Sequence, residues 1–198
     1  MATIGLSDVY VAKYGASGGT VSYTGGIRLA KAVEVDISIS TATRNVLRAD
    51  NADAEVDSRF SGGTLKYTPD DLMQDELALI LGITESAVTG DTGTQKELVY
   101  NDDANPPDIG WGGVVKKQKN GALKYRAIVL SKIKFKLPEE TAKTEGETID
   151  WQTPTLEADI MRADDAKHTW KRESTFDALA DAVAYVKTAL GITGVEGG

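Results

Sequence analysis

Polar and apolar residues alternate without interruption along VEVDISIS, residues 33–40. A period of two places successive side chains on opposite faces of a β-strand. One face of this predicted strand is apolar and is expected to pack on a core: Val33, Val35, Ile37 and Ile39. The other face carries two carboxylates and two hydroxyls: Glu34, Asp36, Ser38 and Ser40. What this polar face is turned towards is the main functional question that the sequence raises.

Similar runs of β-branched and aromatic residues, separated by glycine-rich turns, predict strands along most of the chain. The predicted strands cover residues 6–14, 20–24, 27–32, 33–40, 57–68, 122–137 and 148–161, with a short last strand in KHTWKR, 167–172. Gly25 and Gly26 are predicted to form a hairpin turn between two of these strands. Residues 41–57 are polar and charged, and we interpret them as an extended loop. Residues 84–113 are predicted to be rich in loops, with a short strand at ELVY.

Two segments have the apolar spacing of amphipathic helices. In the first, TPDDLMQDELALILG, Thr68 is the predicted N-cap, Pro69 takes the first helical position and Gly82 ends the helix. Its apolar stripe is Met73, Leu77, Ile80 and Leu81. In the second, Ser174 or Thr175 is the predicted cap and Gly191 the end; its apolar residues are Phe176, Leu179, Val183, Val186 and Leu190. The sequence therefore predicts a mostly β chain in which the first helix packs on a sheet.

Composition narrows the class of protein. The 198 residues carry 22 basic and 30 acidic side chains, a net charge of −8, and such a chain is not expected to bind nucleic acid tightly as a whole. The chain has no cysteine, which excludes disulfides, thiolate metal sites and cysteine nucleophiles. No apolar run reaches the ~18–20 residues of a membrane span. The N-terminus lacks the pattern of a signal peptide, and we expect a soluble protein made in a cytoplasm.

Candidate chemistry is sparse. The single histidine, His168, lies between lysines without nucleophile or metal-ligand spacing, and we interpret it as a surface residue. No hydrolase, metalloprotease or phosphate-loop motif is present, so we expect no enzyme activity, no cofactor and no metal site. The acidic segments 50–55 and 101–108 are interpreted as solvated loops rather than cation sites. The tryptophans form a sugar-binding platform or lie singly in the core or an interface: Trp111, Trp151 and Trp170.

One segment departs from the acidic average. Eight basic residues and no acidic residue lie between Lys116 and Lys136. Lys132, Lys134 and Lys136 alternate with apolar residues and predict a basic strand face. Three interpretations are open for this face: it contacts phosphate, it pairs across strands with the acidic face of 33–40, or it is solvated.

Seven segments of the sequence, taken in order, are GLSDVYVAKY, RLAKAVEVDIS, LRADN, SGGTLKY, the PDDL helix, LILGI and FKLPEETAKTEGETIDWQTPTLEADI. Together they resemble the major tail proteins of long-tailed phages, the phi13-type group. The similarity covers about residues 5–171 and consists of spaced strand, turn and helix segments rather than catalytic signatures. The resemblance implies a tail-tube-type β-sandwich or half-barrel with a flanking α-helix, spanning residues 1–172, followed by a C-terminal helix and tail, 173–198.

The resemblance also implies a function. Proteins of this family form hexameric rings that stack into a hollow tube, with tape-measure, terminator and initiator proteins as partners. DNA leaves the capsid through this tube, and no membrane span is expected. Assembly takes place in the cytoplasm of the bacterial host, and the protein ends in the virion tail. Rival interpretations are the inner tube of a contractile tail or secretion system and a monomeric β-sandwich module that binds a ligand through the tryptophans and the 101–113 loop.

Two hypotheses follow for named residues. First, Glu34, Asp36, Ser38 and Ser40 line the lumen, where an acidic, hydroxylated wall repels phosphate and lets DNA slide. Second, the 41–57 loop reaches the neighbouring ring through charges of both signs. Its charged residues are Arg44, Arg48, Asp50, Asp53, Glu55 and Asp57. The first predicts slower ejection after lysine replaces Glu34 and Asp36; the second predicts that deleting 45–55 abolishes tubes.

Overall fold

The computed structural model describes residues 2–41, 45–49, 52–57, 59–90, 93–102, 105–119, 121–138 and 155–193. These residues form strands and two helices. The strands are β1 (Ala2–Ser17), β2 (Thr20–Arg28), β3 (Ala32–Thr41), β4 (Asn45–Ala49), β5 (Ala52–Asp57), β6 (Phe60–Pro69), β7 (Thr84–Gly90), β8 (Gly93–Val99), β9 (Asp108–Lys119), β10 (Ala122–Phe135), β11 (Leu156–Met161) and β12 (Lys171–Phe176). The helices are α1 (Gln74–Leu81) and α2 (Leu179–Ala189).

Eight strands form one antiparallel sheet in the order β2-β1-β9-β10-β11-β6-β3, with β12 paired to β10. Strand β10 pairs with β9 along one edge and shares its other edge between β12 and β11. A bulge places Ser131 and Lys132 opposite the single residue Gly110. Because β1 and β3 contact each other although they lie far apart in the pairing order, the sheet bends back on itself. The predicted fold class, a mostly β, α+β fold with a flanking helix, is confirmed.

The alternation along β1 explains why this sheet has an apolar layer on each face. Val9 and Val11 point into the bend, whereas Tyr10 and Ala12 point to α2. The layer inside the bend is closed by α1, whose Ile80 and Leu81 are fully buried. Its other fully buried members are Val11, Leu65, Tyr67, Ile109, Trp111, Leu130, Ile133, Phe135, Leu156, Ala158 and Ile160. The second layer lies between the sheet and α2, so α2 is part of the folded unit.

The first helix is shorter than predicted, because β6 continues through the residues expected to start it. Thr68 and Pro69 pair with β3, and Thr68 forms a hydroxyl–hydroxyl hydrogen bond with Thr155. The N-cap is Met73, whose side chain is 69% exposed and not part of the apolar stripe. Gly82 ends α1 as predicted, in the left-handed conformation at φ 66°.

The second helix also begins later than predicted. Ser174 and Thr175 belong to β12, and Ala178 is the N-cap of α2. Gly191 follows the helix with φ 61°, in agreement with the predicted end. The boundary expected at residue 172 falls inside β12.

Two predicted irregular regions are regular strands. Gly25 and Gly26 are not a hairpin turn: they form a bulge within β2, where two residues stand opposite one residue of β1. The region 84–113, expected to be rich in loops, contains the β7–β8 hairpin and the first half of β9. Of the strand predicted at 148–161, the structure describes β11, and residues 148–154 lie outside the described part.

Candidate functional site

Strand β3 presents two of its four predicted apolar residues to the core. Val35 and Ile37 stand opposite the fully buried Tyr67 and Leu65 of β6 and pack against them. Val33 lies in a bulge at the start of the strand and is 62% exposed. Ile39 stands opposite Gly63 and is 40% exposed. Of the four predicted apolar residues, the core therefore covers Val35 and Ile37 and leaves Val33 and Ile39 exposed.

The predicted polar face of β3 is exposed along its whole length. All four side chains, of Glu34, Asp36, Ser38 and Ser40, are exposed. They stand opposite Thr68, Lys66, Thr64 and Gly62 of β6, respectively. Because directly paired residues share a face, the polar face of β3 continues onto β6.

The same face continues across β11 to β10, and there it carries lysines. Glu157 pairs with Lys66, and Asp159 pairs with Thr64 on one side and with Lys134 on the other. Lys136, just beyond β10, forms ion pairs with Asp159 and Glu157. The face is therefore of mixed charge. The basic strand face pairs with β11 and not with the acidic residues of β3, since β6 and β11 lie between them.

Lys132 is held by a cluster of its own at the β10 bulge. Its Nζ lies 2.9 Å from an oxygen of Asp164 and 3.3 Å from one of Asp108. Tyr14 donates its hydroxyl to Asp164 at 2.9 Å, and its ring lies beneath the ammonium group, 5.0 Å from ring centroid to Nζ. Hydrogen bonds from Lys132 and then Tyr14 lower the pKa of Asp164. The position of Lys132 is fixed by these contacts.

Strands β4 and β5 form a separate two-stranded hairpin rather than the predicted extended loop. The ladder between β3 and β6 ends at the pair Thr41 and Phe60, and the hairpin lies beyond it, with Asn45 opposite Asp57. Among the predicted inter-ring residues, Arg48, Asp53, Glu55 and Asp57 lie in the paired strands. Arg44 and Asp50 lie outside the described residues.

The start of β6, just after this hairpin in the chain, is held by aromatic residues. The rings of Phe60 and Trp170 stack at 4.4 Å between centroids with an interplanar angle of 3°. Arg162 donates a hydrogen bond to the carbonyl oxygen of Phe60 and lies over its ring. These contacts connect the start of β6 to the segment between β11 and β12.

Two further cations of the basic segment, Lys124 and Arg126, also form ion pairs. Lys124 forms an ion pair with Asp177, and Arg126 forms one with Glu173. Lys171 contacts the same Glu173 carboxylate at 2.7 Å. The hydrogen bonds from Lys171 and Arg126 lower the pKa of Glu173 to about 2.

A second hairpin, β7–β8, was not predicted. Every described residue from Thr84 to Glu97 is exposed. Lys96 of β8 connects the hairpin to α1 through an ion pair with Asp75 at 2.5 Å, and it also pairs with Glu85 of β7, within the hairpin, at 3.4 Å. The glycine-rich TGDTG turn between two short runs that contain threonine and valine is the signal that predicts such a hairpin.

The candidate chemical residues are not brought together. His168 is exposed, with Nδ1 3.2 Å from the carbonyl oxygen of Ala163. Trp111 is buried within β9, Trp170 is stacked on Phe60, and Trp151 lies outside the described residues. In the described part of the chain, no group of three acidic, histidine or cysteine side chains is placed to hold a metal ion. No helix among the described residues is long and apolar enough to cross a membrane.

Comparison with known proteins found no protein-family model and no curated protein that matches this chain.

Proposed function

We propose that this protein is the structural subunit of a phage tail tube. It assembles with itself into hexameric rings, the rings stack, and the hollow tube conducts DNA during ejection. The proposed role is structural, without catalysis or a cofactor. The other proposed partners are the tape-measure protein and the tail terminator and initiator proteins. The proposed site of action is the virion tail, after assembly in the cytoplasm of the bacterial host.

The observation that carries the proposal is the β4–β5 hairpin beyond the β3–β6 ladder. Two strands that pair only with each other have marginal stability in water unless something packs against them. The hairpin falls on residues 41–57, where the resemblance implies an arm that reaches the next ring. In this proposal a second copy of the chain packs against the hairpin.

The position of β3 in the sheet also supports self-assembly. Strand β3 is the last strand in the pairing order, so one of its edges is not part of a ladder within the described sheet. A free edge with exposed apolar residues such as Val33 and Ile39 is a template for pairing with another chain. Closing a ring of subunits removes such edges.

The polar face supports a conduit surface of mixed rather than acidic charge. Glu34, Asp36, Ser38 and Ser40 remain the proposed lumen residues, and Lys66 and Lys134 share their face. In this proposal DNA passes the face without tight binding, because neighbouring carboxylates offset the lysines.

Negative-stain electron microscopy of the purified protein over a range of concentrations, together with light scattering, tests the proposal. Hollow rings or tubes are the expected result, formed by the protein alone or after addition of the tail initiator complex. A protein that stays monomeric under both conditions overturns the proposal.

The shape of the tube on a complete particle distinguishes the alternatives. A tube enclosed by a contractile sheath would assign the chain to a contractile tail or secretion system. A bare, flexible tube is expected for a long-tailed phage.

A further inference from the structure

Charges of opposite sign alternate across the polar face formed by β3, β6, β11 and the end of β10, which we call the charge lattice. One row runs Asp36, Lys66, Glu157. The neighbouring row runs Ser38, Thr64, Asp159, Lys134. Lys136 completes the lattice through its contacts with β11. With Glu34, the lattice holds four carboxylates and three ammonium groups.

Both carboxylates of β11 contact lysines of the neighbouring strands, Glu157 on both sides and Asp159 on one. Glu157 Oε1 lies 3.0 Å from Lys66 Nζ, and Glu157 Oε2 lies 3.9 Å from Lys136 Nζ. Asp159 Oδ1 lies 2.9 Å from Lys136 Nζ. The hydrogen bond that Lys136 donates to Asp159 raises the pKa of Lys136. Strand β11 therefore supplies fixed counterions to β6 and β10.

Carboxylates held beside lysines lower the affinity of a protein surface for a polyanion such as DNA. Proteins gain affinity for duplex DNA by replacing condensed counterions with lysine or arginine, so uncompensated positive charge is required. These pairs are half-exposed and individually weak, since exposed ion pairs contribute about 0–1 kcal/mol. Their effect on DNA therefore comes from the charge of the lattice as a whole, because a phosphate that approaches a lysine also meets an adjacent carboxylate.

We propose that Glu157 and Asp159 are specificity-determining residues that prevent the charge lattice from binding duplex DNA. This inference rests on the proposed function, since it explains how a face with three lysines serves as a surface along which DNA passes without being held. Both carboxylates lie on β11, so the alternation along β3 does not identify them.

The test compares the purified full chain with the variant E157Q/D159N, using fluorescence anisotropy of a labelled DNA duplex from about 50 to 200 mM salt. The variant is expected to bind at least about tenfold more tightly than the original protein at the lowest salt. Its affinity for DNA is expected to fall steeply as the salt concentration rises. The logarithm of the affinity falls with the logarithm of the salt concentration, with a slope of about −0.9 for each phosphate contact. Circular dichroism and the unfolding midpoint verify that the variant is folded.

A matched control has the same change in net charge at another place. The variant D75N/E85Q removes two carboxylates that pair with Lys96 at α1 and the β7–β8 hairpin. It is expected to bind DNA no more than the original protein. A second variant adds K66Q and K136Q to E157Q/D159N and is expected to lose the acquired binding.

Two outcomes overturn the inference: E157Q/D159N binds no more tightly than the original protein, or D75N/E85Q gains as much affinity as it does. If E157Q/D159N does not fold, the single variants E157Q and D159N are measured against the same criteria. The assay uses unassembled protein and is independent of tube formation. A protein that forms no tubes but shows the expected change in binding therefore contradicts the proposed function alone.

Discussion

Gly112 of β9 lies directly against Val186 of α2. A methyl group built on Gly112 would stand 2.5 Å from Cγ1 of Val186, a distance at which one of the two must move. Val186 is fully buried, and Gly110 on the same face of β9 would meet Tyr23 and Leu190 in the same way. The absence of side chains at these glycines lets α2 approach the sheet closely enough to fill the second apolar layer.

The first prediction concerns this contact. Gly112→Ala is expected to lower the free energy of unfolding by about 1–3 kcal/mol, because the layer is overpacked. Val186→Ala alone is expected to cost a similar amount by leaving a cavity. The double variant is expected to be more stable than the sum of the two changes by about 1 kcal/mol or more, since the new methyl group occupies the space vacated by Val186.

Chemical denaturation of the three variants measures this coupling. Gly5→Ala is a suitable control, because a methyl group on Gly5 would meet no atom within 4 Å. Additive changes at Gly112 and Val186 would show that α2 does not pack on β9 as described.

The second prediction concerns the β4–β5 hairpin. Replacing residues 45–57 by a short glycine-serine link is expected to leave the unfolding midpoint nearly unchanged, since the main sheet ends at Thr41 and Phe60. The same variant is expected to form no tubes under conditions in which the original protein does.

Electron microscopy and thermal unfolding, carried out together, check both parts of this expectation. A comparable shortening of the β7–β8 hairpin tip, residues 88–95, is the control and is expected to retain tube formation. Normal tubes from the 45–57 replacement would contradict the proposed role of this hairpin between rings.

The sequence was most informative where alternation had a core to pack against. Val35 and Ile37 were correctly predicted to face inward because β6 supplies buried partners for both. The same alternation was misleading at Val33, since a bulge is set by pairing with a distant strand and leaves no local periodic signal. The start of α1 was misplaced for a related reason: Thr68 and Pro69 form good helix-start residues, but β3 holds them in a strand.

The mixed charge of the candidate site could not be predicted from the pattern of any single strand. Alternation identified Glu34 and Asp36 on one face, but it contains no information on which strands stand beside them. Lys66, Glu157 and Asp159 join that face only through the order β10-β11-β6-β3, a non-local property of the fold. The basic alternation at 132–136 was visible, whereas the carboxylates that pair with these lysines lie more than 20 residues away along the chain, in either direction.

The third prediction concerns the proposed lumen. When lysine replaces both Glu34 and Asp36, the lysine at position 36 stands opposite Lys66 and destabilises the pairing of β3 with β6. Glu34 and Ser38 stand opposite threonines, so E34K/S38K changes the charge of the face without a like-charge pair across β6. This variant is expected to form normal tubes and to slow the release of DNA, because added lysines retain phosphate.

Time-resolved DNA release from phage particles carrying the variant measures this effect. T94K/E97K makes the same change in charge on the exposed β8 and is the matched control, with release expected at the original rate. Equal release rates for E34K/S38K and the original protein, with tubes intact, would exclude Glu34 and Ser38 from the lumen.

The fourth prediction concerns pH and Glu173, whose carboxylate lies between Lys171 and Arg126. The pKa of Glu173 is lowered from 4.5 to about 2 in the folded protein, so its ion pairs stabilise the fold above pH 4.5. This contribution is lost as the pH falls from 4.5 through about 2, when the folded carboxylate takes up its proton. Because the side chain is 45% exposed, the contribution is expected to stay below about 1 kcal/mol.

Replacement of the carboxylate isolates this contribution from the other titrating groups. Glu173→Gln is expected to be less stable than the original protein at pH 7, and most of this difference is expected to be lost by pH 2, as measured by urea unfolding at both values. In the background R126M/K171M the same replacement is expected to have no effect that depends on pH, since the two cations that lower the pKa are gone. A stability difference that is the same at pH 7 and pH 2 would show that Glu173 acts through packing and not through its charge.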